Sequence, residues 1–425
     1  MKITKIIFCL LAFMQTASGQ KTIYSGADVA STSQYQVVGK VGENFMVFIT
    51  QGWRKKLLVY DRNMKKLSNN LQKYMPDDVH KIAAIPINDQ LVVTYRYVKK
   101  NNIYFDAVKL NANGKRISAV IRIDSMALPL ALHSQELDPS GWNSTHGNSP
   151  VLITGDRHTN DQTFGPYRLG ETKNPDNYPI IGTRVIDYYS VIHSEDKSKI
   201  LVYKTVKNDR GYSLEAKILS HDLKLMDVFK MPLAFPVEYY SPLLMDNDGN
   251  IFFLTQTTAA HDGSILRMQL FSKMFGVNNY VRVPVDLQEH ILLRPHFKID
   301  NLNKSLVINS FYLNPLNANQ PEGIFIFKLT TKLQNMRTVY KEFPPAISSL
   351  RYKLVPQKTG MGQTVGFVDF FFIHDMYFTK DGSYQLVAGR TTNTNDISID
   401  TANIQSMQPE IVFINIDSGL NIIGT

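Results

Sequence analysis

The sequence predicts an all-β chain, a β-propeller of four-stranded antiparallel blades, and three observations carry that expectation. A polar turn block recurs: Tyr60-Asp61-Arg62-Asn63-Met64-Lys65, Leu110-Asn111-Ala112-Asn113-Gly114-Lys115 and Leu219-Ser220-His221-Asp222-Leu223-Lys224 align position by position, and 271–276, 329–334 and 416–421 follow more loosely. Short apolar runs of strand length precede each block. The blocks return at roughly the interval of one blade, except that the step from Leu110 to Leu219 is about double and the step from Leu329 to Ile416 carries extra length.

Taken in chain order, residues 1–19 read as a secretory signal peptide. Lys2 and Lys5 precede an apolar run at 6–14, and Ala17-Ser18-Gly19 supplies the small residues that suit cleavage before Gln20. The mature chain, 20–425, is then a single propeller domain of an exported protein, periplasmic, outer-membrane-associated or secreted. Cys9 is the only cysteine and lies in the leader, so no disulfide framework follows it. No later run is long and apolar enough to span a bilayer as a helix. The formal balance is +9, or +7 without the two leader lysines. That excess is dilute, and its clusters, Arg54-Lys55-Lys56, Lys65-Lys66 and Lys99-Lys100, fall in or beside turns, where lysine is a solvated turn residue. A summed attraction to an anionic surface is the alternative reading. An exported chain without a recognisable nucleic-acid module is not expected to bind nucleic acid.

In each repeat the second strand is the clearest: 45–50, 91–97, 200–205, 251–255, 306–312 and 384–389 are apolar almost without alternation, as suits strands covered on both faces. Third strands are expected at 56–60, 103–110, 212–219, 265–271, 324–329 and 411–416, where partial alternation suggests a layer closer to solvent. The turns Asp246-Asn247-Asp248-Gly249-Asn250 and Lys380-Asp381-Gly382-Ser383 place Asp and Gly where the backbone turns left-handed.

Phe378-Thr379-Lys380-Asp381-Gly382-Ser383-Tyr384-Gln385-Leu386-Val387 and Ile192-His193-Ser194-Glu195-Asp196-Lys197-Ser198-Lys199-Ile200-Leu201-Val202 resemble the blade signature of bacterial exported WD40-like and TolB-like propellers. The resemblance covers about half the chain in short pieces and implies architecture only, because such scaffolds host binders, hydrolases and lyases alike. Six blades with an insertion at about 125–186 are expected, a degenerate seventh blade within that segment being the alternative. Excursions are expected at 344–363 and 391–408, and a strand near Thr22-Ile23-Tyr24 is expected to close the last blade.

First strands line the channel of a propeller, so polar residues on them are the natural candidates for chemistry. His80, His193, His296 and His374 fall on or beside them. Counting back from Leu306 and Tyr384 puts His296 and His374 in one register, with Asp375 or Arg294 nearby, which makes the two histidines candidate metal ligands. The plainer reading is a histidine bonded to a neighbouring carbonyl. His221-Asp222 and His261-Asp262-Gly263 read as turns, and Asp246-x-Asp248-Gly249 lacks the distal ligands of a calcium loop. The insertion carries Trp142, His146, Asp156 and His158. Trp142, with His146 and His158, is a candidate binding group for a sugar ring or a protein partner, or else caps the propeller edge. Nucleophile-elbow, zinc-protease and phosphate-loop motifs are missing from the sequence. The leading expectation is a non-catalytic envelope scaffold that holds an envelope protein or a surface glycan and needs no cofactor. The alternatives are a metal-assisted lyase or hydrolase on an anionic polysaccharide, centred on the channel, and an assembly subunit of a secretion or motility machine.

Overall fold

The computed structural model describes residues 34–51, 54–100, 102–127, 189–208, 211–233, 239–258, 265–314, 317–343, 357–358, 364–365, 371–390 and 411–424. The expected leader, the strand expected near Thr22, most of the expected insertion, and the two expected excursions apart from Gln357–Lys358 lie outside them. None of the described residues is helical, and no helix among them is long and apolar enough to cross a membrane. The chain divides into two compact units, Met1–Thr154 and Gly155–Thr425.

The first unit holds two four-stranded antiparallel sheets. One is β1 (Gln34–Val41), β2 (Asn44–Gln51), β3 (Arg54–Tyr60) and β4 (Lys66–Leu71); the other is β5 (Val79–Ile87), β6 (Gln90–Lys99), β7 (Asn102–Asn111) and β8 (Ile121–Ala127). They share one core, in which Val38, Met46, Phe48, Leu57 and Val59 meet Ile82, Ala84, Leu91, Val93 and Tyr95.

The second unit repeats the plan. Its first sheet is β9 (Ser190–His193), β10 (Lys199–Asn208), β11 (Gly211–Ser220) and β12 (Leu225–Leu233). In the next sheet the first strand is split into β13 (Tyr239–Tyr240) and β14 (Leu244–Met245), both paired to β15 (Ile251–Thr258). Pro242 lies in the break, and proline has no N–H to offer a ladder. This sheet continues through β16 (Ile265–Lys273) and β17 (Tyr280–Val285), and a single pair, Ile265 with Leu292, links it to β18 (Ile291–Asp300), β19 (Ser305–Asn314), β20 (Asn317–Thr330) and β21 (Arg337–Glu342). A small hairpin, β22 (Gln357–Lys358) and β23 (Thr364–Val365), precedes the last sheet, β24 (Phe371–Phe378), β25 (Tyr384–Arg390), β26 (Ile411–Ile416) and β27 (Ile422–Gly424).

Consecutive sheets of this unit pack face to face around three cores. Strand β20 shows why alternation is lost: Phe325 and Phe327 point into the core shared with β15 and β16, while Ile324 and Ile326 point into the core shared with β24 and β25. Both faces are apolar because both are covered. The expectation that third strands lie closer to solvent is therefore corrected for β20, whose Ile324 to Phe327 are all 0% exposed. The solvent layer is the fourth strand, as in β4, β17 and β21.

The recurring turn block has a physical cause. Its second residue carries a side-chain oxygen that accepts two backbone N–H groups of the turn: Asp61 from Asn63 (2.9 Å) and Lys65 (2.8 Å), Asn111 from Asn113 and Lys115 (3.0 Å each), Ser220 from Asp222 (3.2 Å) and Lys224 (3.3 Å). Three residues later the backbone turns left-handed, at Met64, Gly114 and Leu223. Glycine is needed only at Gly114, where a Cβ would stand 2.7 Å from the Asn70 amide nitrogen.

Another glycine is required by close approach. A Cβ on Gly323 would lie 2.0 Å from the carbonyl oxygen of Lys341 on the neighbouring strand. Gly323→Ala is expected to part β20 from β21 at this end and to cost about 1–3 kcal/mol, read as a lower urea midpoint at unchanged slope.

Candidate functional site

The first strands β18 and β24 belong to neighbouring sheets of the second unit, and their facing residues form the polar cluster that the described inner strands bring together. Each strand is a run of large apolar residues interrupted by charge: Phe297-Lys298-Ile299 on β18 and Ile373-His374-Asp375-Met376 on β24. Ile299 pairs with Leu306 as Phe378 pairs with Tyr384. The same step back along each strand reaches His296 on β18 but Asp375 on β24, because Ile299 pairs with a residue seven positions ahead and Phe378 with one only six ahead; His374 lies beyond, in a β-bulge between Ile373 and Asp375. The shared register expected for His296 and His374 is thus corrected: the residue matched to His296 is a carboxylate.

Asp375 is 4% exposed. Its Oδ1 accepts from Lys298 Nζ at 2.7 Å and from the Met376 backbone N–H at 2.7 Å, and the same ammonium donates to the Met376 carbonyl at 2.6 Å. The ring of His296, 3% exposed, presents Nε2 at 3.9 Å from Asp375 Oδ1, beyond hydrogen-bond reach, and its Nδ1 has no partner among the described residues. Behind it, Tyr384 donates to Asn309 Oδ1 at 3.1 Å, and Asn309 Nδ2 lies 2.8 Å from the sulfur of Met376. Tyr377 stands at the exposed side, its ring centroid 5.3 Å from Lys298 Nζ.

Burial holds the His296 imidazole down at about 4; the Asp375 charge opposes this, while Lys298 and His374 add to it. His374 is also lowered by burial, against the effect of the Gly389 carbonyl 3.2 Å from its Nε2. The negative charge of Asp375, with burial, raises the Tyr377 phenol. Near neutrality the cluster therefore holds an uncharged imidazole beside a carboxylate already bound to an ammonium. That arrangement fastens strand to strand; a general base would need a free carboxylate or an accessible imidazole with a pKa near the working pH.

The other sequence candidates resolve into structure. His193 Nδ1 is 2.7 Å from the Ser194 carbonyl, and His221 is half exposed with Nε2 3.5 Å from Asp222 in its turn. His80 lies on β5. Asp246 is buried and spends both oxygens on Asn250, at 2.8 Å each, while Asp248 pairs with Lys304 at 3.0 Å; burial raises the Asp246 carboxyl. The calcium-loop spacing is thus a turn cap. Trp142, His146, Asp156, His158 and the 261–263 turn lie outside the described residues. Among the described residues no group of three or more His, Cys, Asp or Glu is placed to hold a metal ion.

Two arrangements were not foreseen. Asp106 on β7, 4% exposed, binds Arg122 of β8, whose guanidinium also donates to Tyr97 at 2.9 Å and lies 4.1 Å from the Tyr104 centroid. The signal was a lone acid in the apolar run 103–110. The hairpin turns of the second unit also interlock: Asn247 Oδ1 accepts the Asp196 N–H, Asn301 Oδ1 accepts the Asn247 N–H (3.0 Å each), and Asn303 Nδ2 donates to the Thr379 carbonyl at 2.8 Å. Asparagine in successive hairpin turns was the available clue.

No family model matches the chain, and no curated protein does. Among solved structures, it is similar to prolyl oligopeptidase B from Galerina marginata (8% identity, TM-score 0.41, 92% of this chain and 43% of that one). It is also similar to the acylaminoacyl peptidase of Pyrococcus horikoshii (5%, 0.36, 82% and 42%) and to the WD40 domain of SCAP from fission yeast (10%, 0.33, 92% and 77%). The chain spans less than half the length of either peptidase.

Proposed function

We propose that the chain is an exported β-propeller of the WD40-like and TolB-like kind, with six blades, acting as a non-catalytic scaffold that holds an envelope protein or a surface glycan. The observation that carries this reading is the state of the inner-strand charges: Lys298 and Asp375 are spent on each other and on Met376, so they tie strands together. The topology adds to it. In each sheet the first-to-second and third-to-fourth turns lie at one end, and in the second unit that end is closed by turn-to-turn hydrogen bonds. Strands β8, β21 and β25 end at the opposite side of their sheets, and from there the chain enters its longest connections, at 128–188, 344–370 and 391–410. Loops carried on a rigid scaffold are where binding residues concentrate. Trp142, with His146 and His158, is the group proposed to meet the partner.

The test presents the mature chain to an array of bacterial surface glycans and to cross-linking in its native envelope, and in parallel assays anionic polysaccharides for new chain ends. Saturable binding without new ends is expected, and Trp142→Ala is expected to weaken it by about tenfold or more, the loss of an aromatic anchor, at an unchanged unfolding midpoint. New chain ends that vanish with His296→Ala would favour the lyase or hydrolase instead.

A further inference from the structure

We infer that His296, Lys298 and Asp375 form a proton-operated latch between β18 and β24, closed while His296 is neutral and released when it takes up a proton. This goes beyond the binding reading and does not depend on it.

The latch has one anion. Asp375, buried and in regular register with Val387, receives the Lys298 ammonium from across the sheet boundary, and that ammonium also holds the Met376 carbonyl. His296 approaches the same carboxylate oxygen from β18, 3.9 Å away, and is 3% exposed with Nδ1 unpartnered among the described residues. A neutral imidazole here is neither hydrogen-bonded to Asp375 nor repelled by Lys298. A proton changes both relations at once: the imidazolium is drawn to Asp375 and repelled by Lys298.

Among the described side chains, Asp375 is the anion that faces His296. From β24 the titratable groups are His374, Asp375 and Tyr377; from β25, Tyr384; on its own strand, Lys298; and β19 contributes the neutral Asn309. One buried carboxylate then faces two cations. Of these, Lys298 has the exit, because its side chain is already 21% exposed beside Tyr377. When it turns to solvent, the Met376 carbonyl loses its donor as well, and the two first strands lose both bonds that the ammonium makes between them. A buried histidine that charges on acidification, next to a bond it can disrupt, is the physical form of a pH switch.

The test is hydrogen exchange of the mature chain between pH 7.5 and 4.5, read by mass spectrometry and corrected for the intrinsic chemical rate, with peptides of β6 and β7 as internal reference. An imidazole at about 4 when closed and about 6.5 when open makes opening roughly 30-fold more frequent at pH 5 than at pH 7.5. That gain is expected in peptides of β18 and β24, is expected to be missing from the reference peptides, and is expected to vanish in His296→Gln. Unchanged relative protection in the wild type, or the same gain in His296→Gln, overturns the latch. Should His296→Gln fail to fold, the wild type decides alone: the gain must approach a one-proton slope against pH below about 6.5 and stay confined to β18 and β24, and a flat or global response overturns it.

Discussion

Asp375→Ala is expected to lower the stability of the second unit by about 3 kcal/mol, the lower end of the cost of breaking a buried ion pair. Removing the carboxylate leaves Lys298 with the Met376 carbonyl alone and takes the acceptor from the Met376 N–H. The lower end applies because Lys298 is partly exposed and recovers some hydration. Lys298→Met is costly for the opposite reason, since it takes the Lys298 ammonium away from a carboxylate that is 4% exposed. Replacing both at once, Lys298→Met with Asp375→Leu, is expected to cost clearly less than the sum, because neither charge is then stranded. Urea unfolding of the four proteins closes the cycle, and additivity would show that the pair does not couple β18 to β24.

The same site sets an acid limit. The unfolded chain takes up a proton on His296 below about 6.5, whereas the folded site resists it until about 4. The unfolded state therefore binds more protons across that window, so the stability His296 contributes is complete above it and is lost as pH falls through it. The Asp227 carboxyl is held below the ordinary range by its hydrogen bonds from Lys273 and Gly276, which outweigh burial, and this adds a further loss at still lower pH.

Strands two and three of every sheet were legible because they are written locally: an apolar run for a covered strand, and a turn whose side-chain oxygen caps its own backbone. Fourth strands were harder to read, since an edge strand such as β21, with its Lys and Arg and little buried surface, has no pattern that separates it from a polar loop. The site failed for a different reason. His296 and His374 both stand out in the sequence, but their relation depends on a hairpin that spans one residue more from Ile299 to its partner Leu306 than from Phe378 to its partner Tyr384. A single extra residue exchanges the two faces of a strand, so it moved Asp375 inward in place of His374. Lys298 carries no mark in the sequence, because its partner is far away in the chain and nothing local points to it.

Phe325→Ala is expected to cost about 3–5 kcal/mol, and Ile326→Ala about 2–5 kcal/mol, although the two residues are adjacent and sit on a third strand. Each is 0% exposed, but they open different cores: Phe325 packs with Phe252, Leu270 and Phe327, and Ile326 packs with Ile373, Leu386 and Ile414. A strand with one face in water gives a large loss at one of two neighbouring positions and a small one at the other. Large losses at both are what face-to-face stacking of three successive sheets requires, since the middle sheet then has no wet side. Val281 on the edge strand β17, 47% exposed, supplies the contrast: Val281→Ala is expected to stay within about 0.5 kcal/mol. Urea midpoints at unchanged slope read all three, and a cost below about 1 kcal/mol for either β20 substitution would mean that one face of this sheet is not packed.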